Sequence, residues 1–345
     1  MKKFILVLLS LIAGVALFVF VLQKFGWQEI IKAVLVLPWW QFFTIPLLIL
    51  SGFLIAVVRW RVVLQSQTKE RITFLTTLRA RTVGFAISYL TPSAYFGGEA
   101  LRAVILNEDS NVNLSTNIFS IIVDKAIDMT IGAFLMLIGL IYILIHFRLP
   151  AWITYLILLV VIFWIGMGYF FYSRTLKKKG FFTSLINFFW LNRVKSVNKL
   201  TSNIQDVETT ISDFFLHKPK YLISTILLGF TSRCFQFGAA WLIIYSLQVR
   251  VSIFQLLGFM ALFSVMLFVP VPGAFGLHEA SQALFFGLFG LGGYNGIAFS
   301  LILRAYHLVG VVIGLLILLI FQIGIWKNKA LKKLDRFGRK IGGVD

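Results

Sequence analysis

Six apolar runs long enough to cross a bilayer punctuate this chain, at about residues 4–22, 39–60, 116–146, 150–172, 220–247 and 296–325. A hydrocarbon core about 30 Å thick needs roughly 20 apolar residues of helix. A chain of 345 residues could otherwise be two soluble domains, but 59% of it is hydrophobic and only 13% is charged. No soluble core uses that much apolar surface, so the expected fold is an all-α integral membrane protein forming a single polytopic domain over 1–345. The first run follows Met1-Lys2-Lys3 like a signal peptide, but it reaches Leu22 without an A-x-A-like cleavage site. It reads as an uncleaved span.

Two further apolar stretches, 75–107 and 252–293, carry Pro and Gly near their middles. The net charge of +19 sits between the runs, where topology signals belong, and this argues against nucleic acid as a partner. Lys2 and Lys3, six residues between Arg59 and Arg81, nine in 173–220 and seven from Lys327 to Lys340 lie on one side. The other side has Lys24, Lys32, Arg148 and Arg250. The positive-inside rule then places both termini, the 173–219 loop and the basic tail 326–345 in the cytoplasm of a multi-pass inner-membrane protein, facing anionic inner-leaflet lipids. The count balances only if 75–107 and 252–293 each return to the side they entered, as re-entrant broken hairpins. In the 173–219 loop, Val197, Leu200, Ile204, Val207, Ile211 and Phe214 form one apolar stripe. That stripe predicts an amphipathic helix on the inner leaflet or on the cytoplasmic face of the bundle.

A repeat appears at an offset of 180. Pro92-Ser93-Ala94, Glu99-Ala100 and Ala103 match Pro272-Gly273-Ala274, Glu279-Ala280 and Ala283, and Phe119 to Asp124 matches Phe299 to Arg304. The halves are about 39–146 and 220–325. Span 39–60 runs outward to inward and span 220–247 the reverse, which makes the repeat inverted, the layout of many secondary transporters.

Irregular backbone at membrane depth survives where protein or a water-filled cavity covers it. The breaks center on Pro92, Gly97 and Gly98, and on Pro270, Pro272, Gly273 and Gly276. Pro ends the incoming helix and Gly permits the reversal. The outgoing helices then start near Gly98 and His278, with N-termini suited to a phosphate. Glu99 and Glu279 in their first turns either cap the helix or handle a cationic group or proton. Asp124 and Asp128 share a helical face with Ser120, and Arg304, His307 and Ser300 are the counterpart. Arg304 near mid-depth needs an acid or water, from Glu99, Asp124, Asp128 or Glu279. Its expected place is a central cavity, holding a lipid phosphate. Arg102 is placed at an inner vestibule, Lys125 as a snorkeling residue, and Arg233 as a mid-span charge in need of a partner. One cysteine, Cys234, excludes a disulfide framework and a multi-Cys metal site, the four scattered histidines form no HxxxH or HExxH pair, and no metal or cofactor is expected.

Ser88-Tyr89-Leu90-Thr91-Pro92 through Gly97-Gly98-Glu99-Ala100-Leu101-Arg102 resembles the first signature of the lysyl-phosphatidylglycerol synthase transmembrane-region family, also called flippase-like domain proteins. Val269 to Ala280 resembles the second signature, and Leu303-Arg304-Ala305-Tyr306-His307 the third. The resemblance implies movement of a membrane lipid between leaflets, an aminoacylated phospholipid in some relatives and polyprenyl-phosphate sugar lipids in others. A soluble domain makes the aminoacylated lipid in the former. This chain reaches Asp345 just past the last span, so synthase activity is not carried over. The expectation is a lipid translocator without enzyme activity. The alternatives are a membrane-embedded glycosyltransferase-type enzyme, disfavored by short, acid-poor exterior loops, and a secondary transporter of a small solute. No GxxxxGK[ST] loop is present for ATP.

Overall fold

A computed structural model describes residues 38–91, 97–110, 112–188, 201–266 and 274–341, together with 28 and 271. The expected span at 4–22, Pro92, Pro270, Pro272 and Gly273 lie outside the described residues. The described residues form eleven helices: α1 (Gln41–Gln65), α2 (Phe74–Leu90), α3 (Glu99–Asp109), α4 (Leu114–His146), α5 (Ala151–Leu176), α6 (Phe181–Phe188), α7 (Thr201–His217), α8 (Pro219–Ser246), α9 (Ile253–Met266), α10 (Leu277–Leu288) and α11 (Gly293–Ile341). Five are long and apolar enough to cross a membrane: α1, α4, α5, α8 and Gly293–Phe321 of α11. They match the last five runs read from the sequence. The chain is an all-α, multi-pass integral membrane protein.

Local chemistry sets several boundaries. Thr73 caps α2 by accepting from Thr76 N at 3.1 Å, and Asn113 caps α4 by accepting from Thr116 N at 2.8 Å. Pro219 opens α8 where its missing N–H costs nothing. Gly276, at φ 75°, precedes α10 in a conformation that an L side chain resists. The two broken stretches resolve into α2 with α3, and α9 with α10. At 1.5 Å per residue even α2, the longest of the four, extends only about 25 Å, short of the roughly 30 Å core.

Every helix of the first half has a counterpart at the offset of 180. Moving α1, α2, α3 and α4 by that offset puts them on α8, α9, α10 and α11 to within a few residues, apart from the longer α11 and shorter α9. α1 and α8 pack side by side and run antiparallel. Ser246 at the end of α8 donates to Gln41 at the start of α1, and Ser232 Oγ donates to Gly52 O at 2.7 Å midway. Lys218, just before α8, donates to Ser66 O, just after α1. The short helices pack on the opposite half: α2 against α11 through Ala86, Tyr89 and Val311, and α9 against α4 through Leu140, Ile143 and Ala261. The α4–α9 crossing is close enough that a Cβ on Gly139 would collide with the backbone of Gly258.

The amphipathic stripe lies in α7 as far as it is described. Val207, Ile211 and Phe214 are buried against Val63, Phe119, Val123, Ile127 and Ile131. The helix therefore docks on the bundle, beside the face of α4 that carries the acids. Glu208 of α7 accepts from Thr183 N at 2.9 Å, answering a free donor at the start of α6.

Candidate functional site

Two clusters of charged side chains are buried between the helices, one per half. The first is built on α4. Asp124 and Asp128, one turn apart, are bridged by Arg59 of α1: Nε lies 2.9 Å from Asp124 Oδ1 and Nη1 lies 2.8 Å from Asp128 Oδ1. Asp124 Oδ2 also takes Arg81 of α2 at 2.7 Å and Arg102 of α3 at 3.1 Å. Asp128 Oδ2 takes Arg233 of α8 at 2.7 Å. Five helices thus contribute to one ion network. Arg59 and Asp124 are fully enclosed, at 0% and 1% exposure. Trp60 forms the floor: its indole N–H donates to Ser120 Oγ at 3.1 Å, and the Arg102 guanidinium lies 4.1 Å from its ring centroid. Ionized groups in a water-poor interior persist only when paired in this way.

The second cluster is smaller. Glu279, in the first turn of α10, accepts from Gly276 N at 2.9 Å and closes the cap of its own helix. The same carboxylate pairs with Arg304 of α11, with Nε–Oε1 at 2.7 Å and Nη2–Oε2 at 3.2 Å. Arg304 Nη2 also donates to Ala274 O at 3.2 Å, and its guanidinium stands 4.3 Å from the Phe275 ring centroid. Ser300 Oγ bonds Glu279 Oε1 at 3.3 Å and His278 Nδ1 on its other side. His307 packs edge-on to Phe85 and Tyr89 of α2, 6.1 Å from each ring.

Most site candidates read from the sequence fall into these clusters, with some reassignments. Arg304 is paired with the acid of its own half, and its fork is filled by that acid, a carbonyl and an aromatic ring. Arg102 is not at a vestibule; it is 7% exposed and clamped between Asp124 and Trp60. Lys125 reaches Glu99 of α3 at 3.0 Å, with both side chains about one-quarter exposed, where snorkeling was expected. The carboxylate of the neighboring helix supplies the partner that an ammonium needs among apolar helices. Arg233 finds its partner in Asp128. Gly98 N donates to Ser88 Oγ at 2.8 Å, and a Cβ on Gly98 would collide with the Gly84 carbonyl, so glycine here permits α2 and α3 to touch. Gly97 sits just ahead of α3 and is partly exposed.

Arg59 and Arg81 are the functional candidates that sequence reasoning missed. Both were counted as surface charges that set topology. The available signal was Arg59 inside Ala56-Val57-Val58-Arg59-Trp60, an apolar frame unlike a solvated loop, and Arg81 inside a stretch already recognized as broken.

Residues 7–314 match the family described as lysylphosphatidylglycerol synthase TM region. The chain belongs to this family. Among similar proteins, a UPF0104 membrane protein of Pyrococcus horikoshii is 26% identical over 297 residues, covering 83% of this chain and 87% of that protein. A UPF0104 membrane protein of Methanothermobacter thermautotrophicus is 23% identical over 218 residues, covering 61% of this chain and 64% of that one. No solved structure matches the chain. The family match spans both charged clusters, placing them in the family's shared region.

Proposed function

We propose that this protein is a lipid translocator that moves a phospholipid or polyprenyl-phosphate lipid between the leaflets of the cytoplasmic membrane, and that it has no enzyme activity of its own. The observation that carries the reading is the six-residue ion network of Arg59, Arg81, Arg102, Arg233, Asp124 and Asp128, held between three spans and the two short helices α2 and α3. Charge at membrane depth costs from about 3 to above 10 kcal/mol by different measures, so such groups mark substrate paths. A lipid needs a polar route for its head group while its acyl chains stay in the bilayer. Membership of the lysylphosphatidylglycerol synthase TM region family supports a lipid over a small solute.

In this reading the two halves are inverted across the membrane, the broken helix pairs α2–α3 and α9–α10 enter from opposite sides, and both termini are cytoplasmic. The antiparallel pairing of α1 with its repeat counterpart α8 supports the inversion. Arg59, Arg81, Arg102 and Arg233 together with Glu99, Lys125, His278, Glu279, Arg304 and His307 would line or support the route.

The test is a leaflet-exchange assay in proteoliposomes with several labeled head groups. Protein-dependent exchange of an anionic or aminoacylated lipid is expected; no exchange of any lipid, by protein shown to be folded, rejects the reading. Topology is tested separately by cysteine labeling in a Cys234→Ser background. A cysteine at Glu108 should label from the cytoplasmic side, and labeling only from the exterior rejects the re-entrant arrangement.

A further inference from the structure

The charges of the first cluster do not balance. Four guanidiniums face two carboxylates, whereas the neighboring Lys125–Glu99 pair and the distant Arg304–Glu279 pair are each neutral. Arg81 and Arg102 converge on a single oxygen, Asp124 Oδ2. Two like charges drawn to one acceptor repel each other, and the other oxygen of Asp124 already serves Arg59. Arg102 is nine-tenths buried, and its Nε has no hydrogen-bond partner among the described residues; the same holds for Arg233 Nε. A buried cationic donor left without an acceptor is costly, so this arrangement is complete only with a further anion. The cluster is also reachable: the Arg81, Arg233 and Asp128 side chains are 15%, 20% and 28% exposed.

We infer that the Arg81–Arg102 pair is a binding site for the phosphate of an anionic lipid head group. The two guanidiniums grip its oxygens, Asp124 and Arg59 hold them in place, and Arg233 contributes charge from the far side of Asp128. The guanidinium fork matches phosphate geometry, and a phosphodiester of charge −1 offsets half of the surplus of two while a phosphomonoester, near −2, offsets all of it. Arg304, the phosphate ligand expected from the sequence, has its fork already engaged by Glu279, Ala274 and Phe275. The inference rests on the translocator reading for the class of ligand, and on the charge imbalance for the position.

The test is equilibrium binding to the purified full chain in detergent, with dioctanoyl phosphatidylglycerol as probe and dioctanoylglycerol and inorganic phosphate as competitors. The phospholipid is expected to bind, inorganic phosphate to displace it, and the phosphate-free lipid not to. Arg81→Gln should weaken binding about tenfold, the loss of one charge-assisted contact. Asp128→Asn adds one positive charge to the surplus and should tighten binding several-fold. The two opposite signs make a general folding defect an inadequate explanation, and the Asp128→Asn arm stands even where Arg81→Gln does not fold. Affinities unchanged in both variants, or moved in the same direction, overturn the site. Binding of inorganic phosphate without the phospholipid overturns the lipid as its source. Binding with the expected signs by a protein that exchanges no lipid overturns the translocator and leaves the site. Lipid exchange indifferent to both variants does the reverse.

Discussion

The two halves use the same helices for opposite electrostatics. Asp124 of α4 and Arg304 of α11 occupy equivalent positions at the offset of 180, as do Ser120 and Ser300, and Glu99 and Glu279. In the second half the acid and the base of these positions pair with each other, Glu279 with Arg304 at 2.7 Å. In the first half both positions are acidic. Each therefore draws cations from elsewhere: Lys125 to Glu99, and Arg59, Arg81 and Arg102 to Asp124. A helical frame can be repeated while its charge is rewritten, and a single sign change at one position recruits two further helices, α1 and α2, into the network.

The comparison yields a ranking of stabilities. Asp124→Asn should cost the most, about 3–5 kcal/mol or more, because it takes their common carboxylate from three guanidiniums, two of them, Arg59 and Arg102, enclosed. Thermal unfolding in detergent is the measurement, and a loss smaller than that for Glu279→Gln breaks the asymmetry. Glu279→Gln should cost about 3 kcal/mol, since it strands only Arg304 and the amide can still accept from Gly276 N. The double change Glu279→Gln/Arg304→Gln should recover part of that loss. A double variant less stable than either single would show that the pair stabilizes the fold beyond mutual neutralization. Gly139→Ala should cost about 1–3 kcal/mol by forcing α4 and α9 apart at Gly258. Lys125→Gln should be the mildest, below about 1 kcal/mol, because both side chains are about one-quarter exposed and form a single pair outside the main network. A larger loss there would mean that Glu99 has a role equal to that of Glu279.

What the sequence made legible divides along the same line. The spans were readable because length and apolarity alone decide whether a helix crosses a bilayer. The two breaks were readable because Pro and Gly interrupt runs that otherwise continue. The acids Asp124 and Asp128 stood out as anomalies inside an apolar helix. Their cationic partners did not. Arg59 and Arg81 fall at the ends of apolar stretches, where a basic residue ordinarily marks the membrane surface, and the acids that hold them, Asp124 and Asp128, lie 43 to 69 residues further along the chain, a distance that no local spacing bridges. Arg304 was recognized as needing a partner, but spacing cannot tell an acid in its own half from one in the other. The seat of α7 on the bundle was one of two alternatives that an amphipathic stripe allows, since the stripe records an apolar contact and not what supplies it.

The exchanged packing of the short helices bears on how the protein is made. α2 rests on α11, with Gly314 so close to Thr82 and Ala86 that a Cβ there would meet both within 2.6 Å. At about 5–20 residues per second, the roughly 230 residues between Thr82 and Gly314 take about 12–46 s to synthesize. Through that interval the first half is in the membrane without the helix that seats α2. Biogenesis of this chain is therefore a wait followed by a closure, with the last long helix as the closing step, and a nascent chain arrested before Gly314 should carry an open first half that proteases and insertion factors can tell from the finished protein.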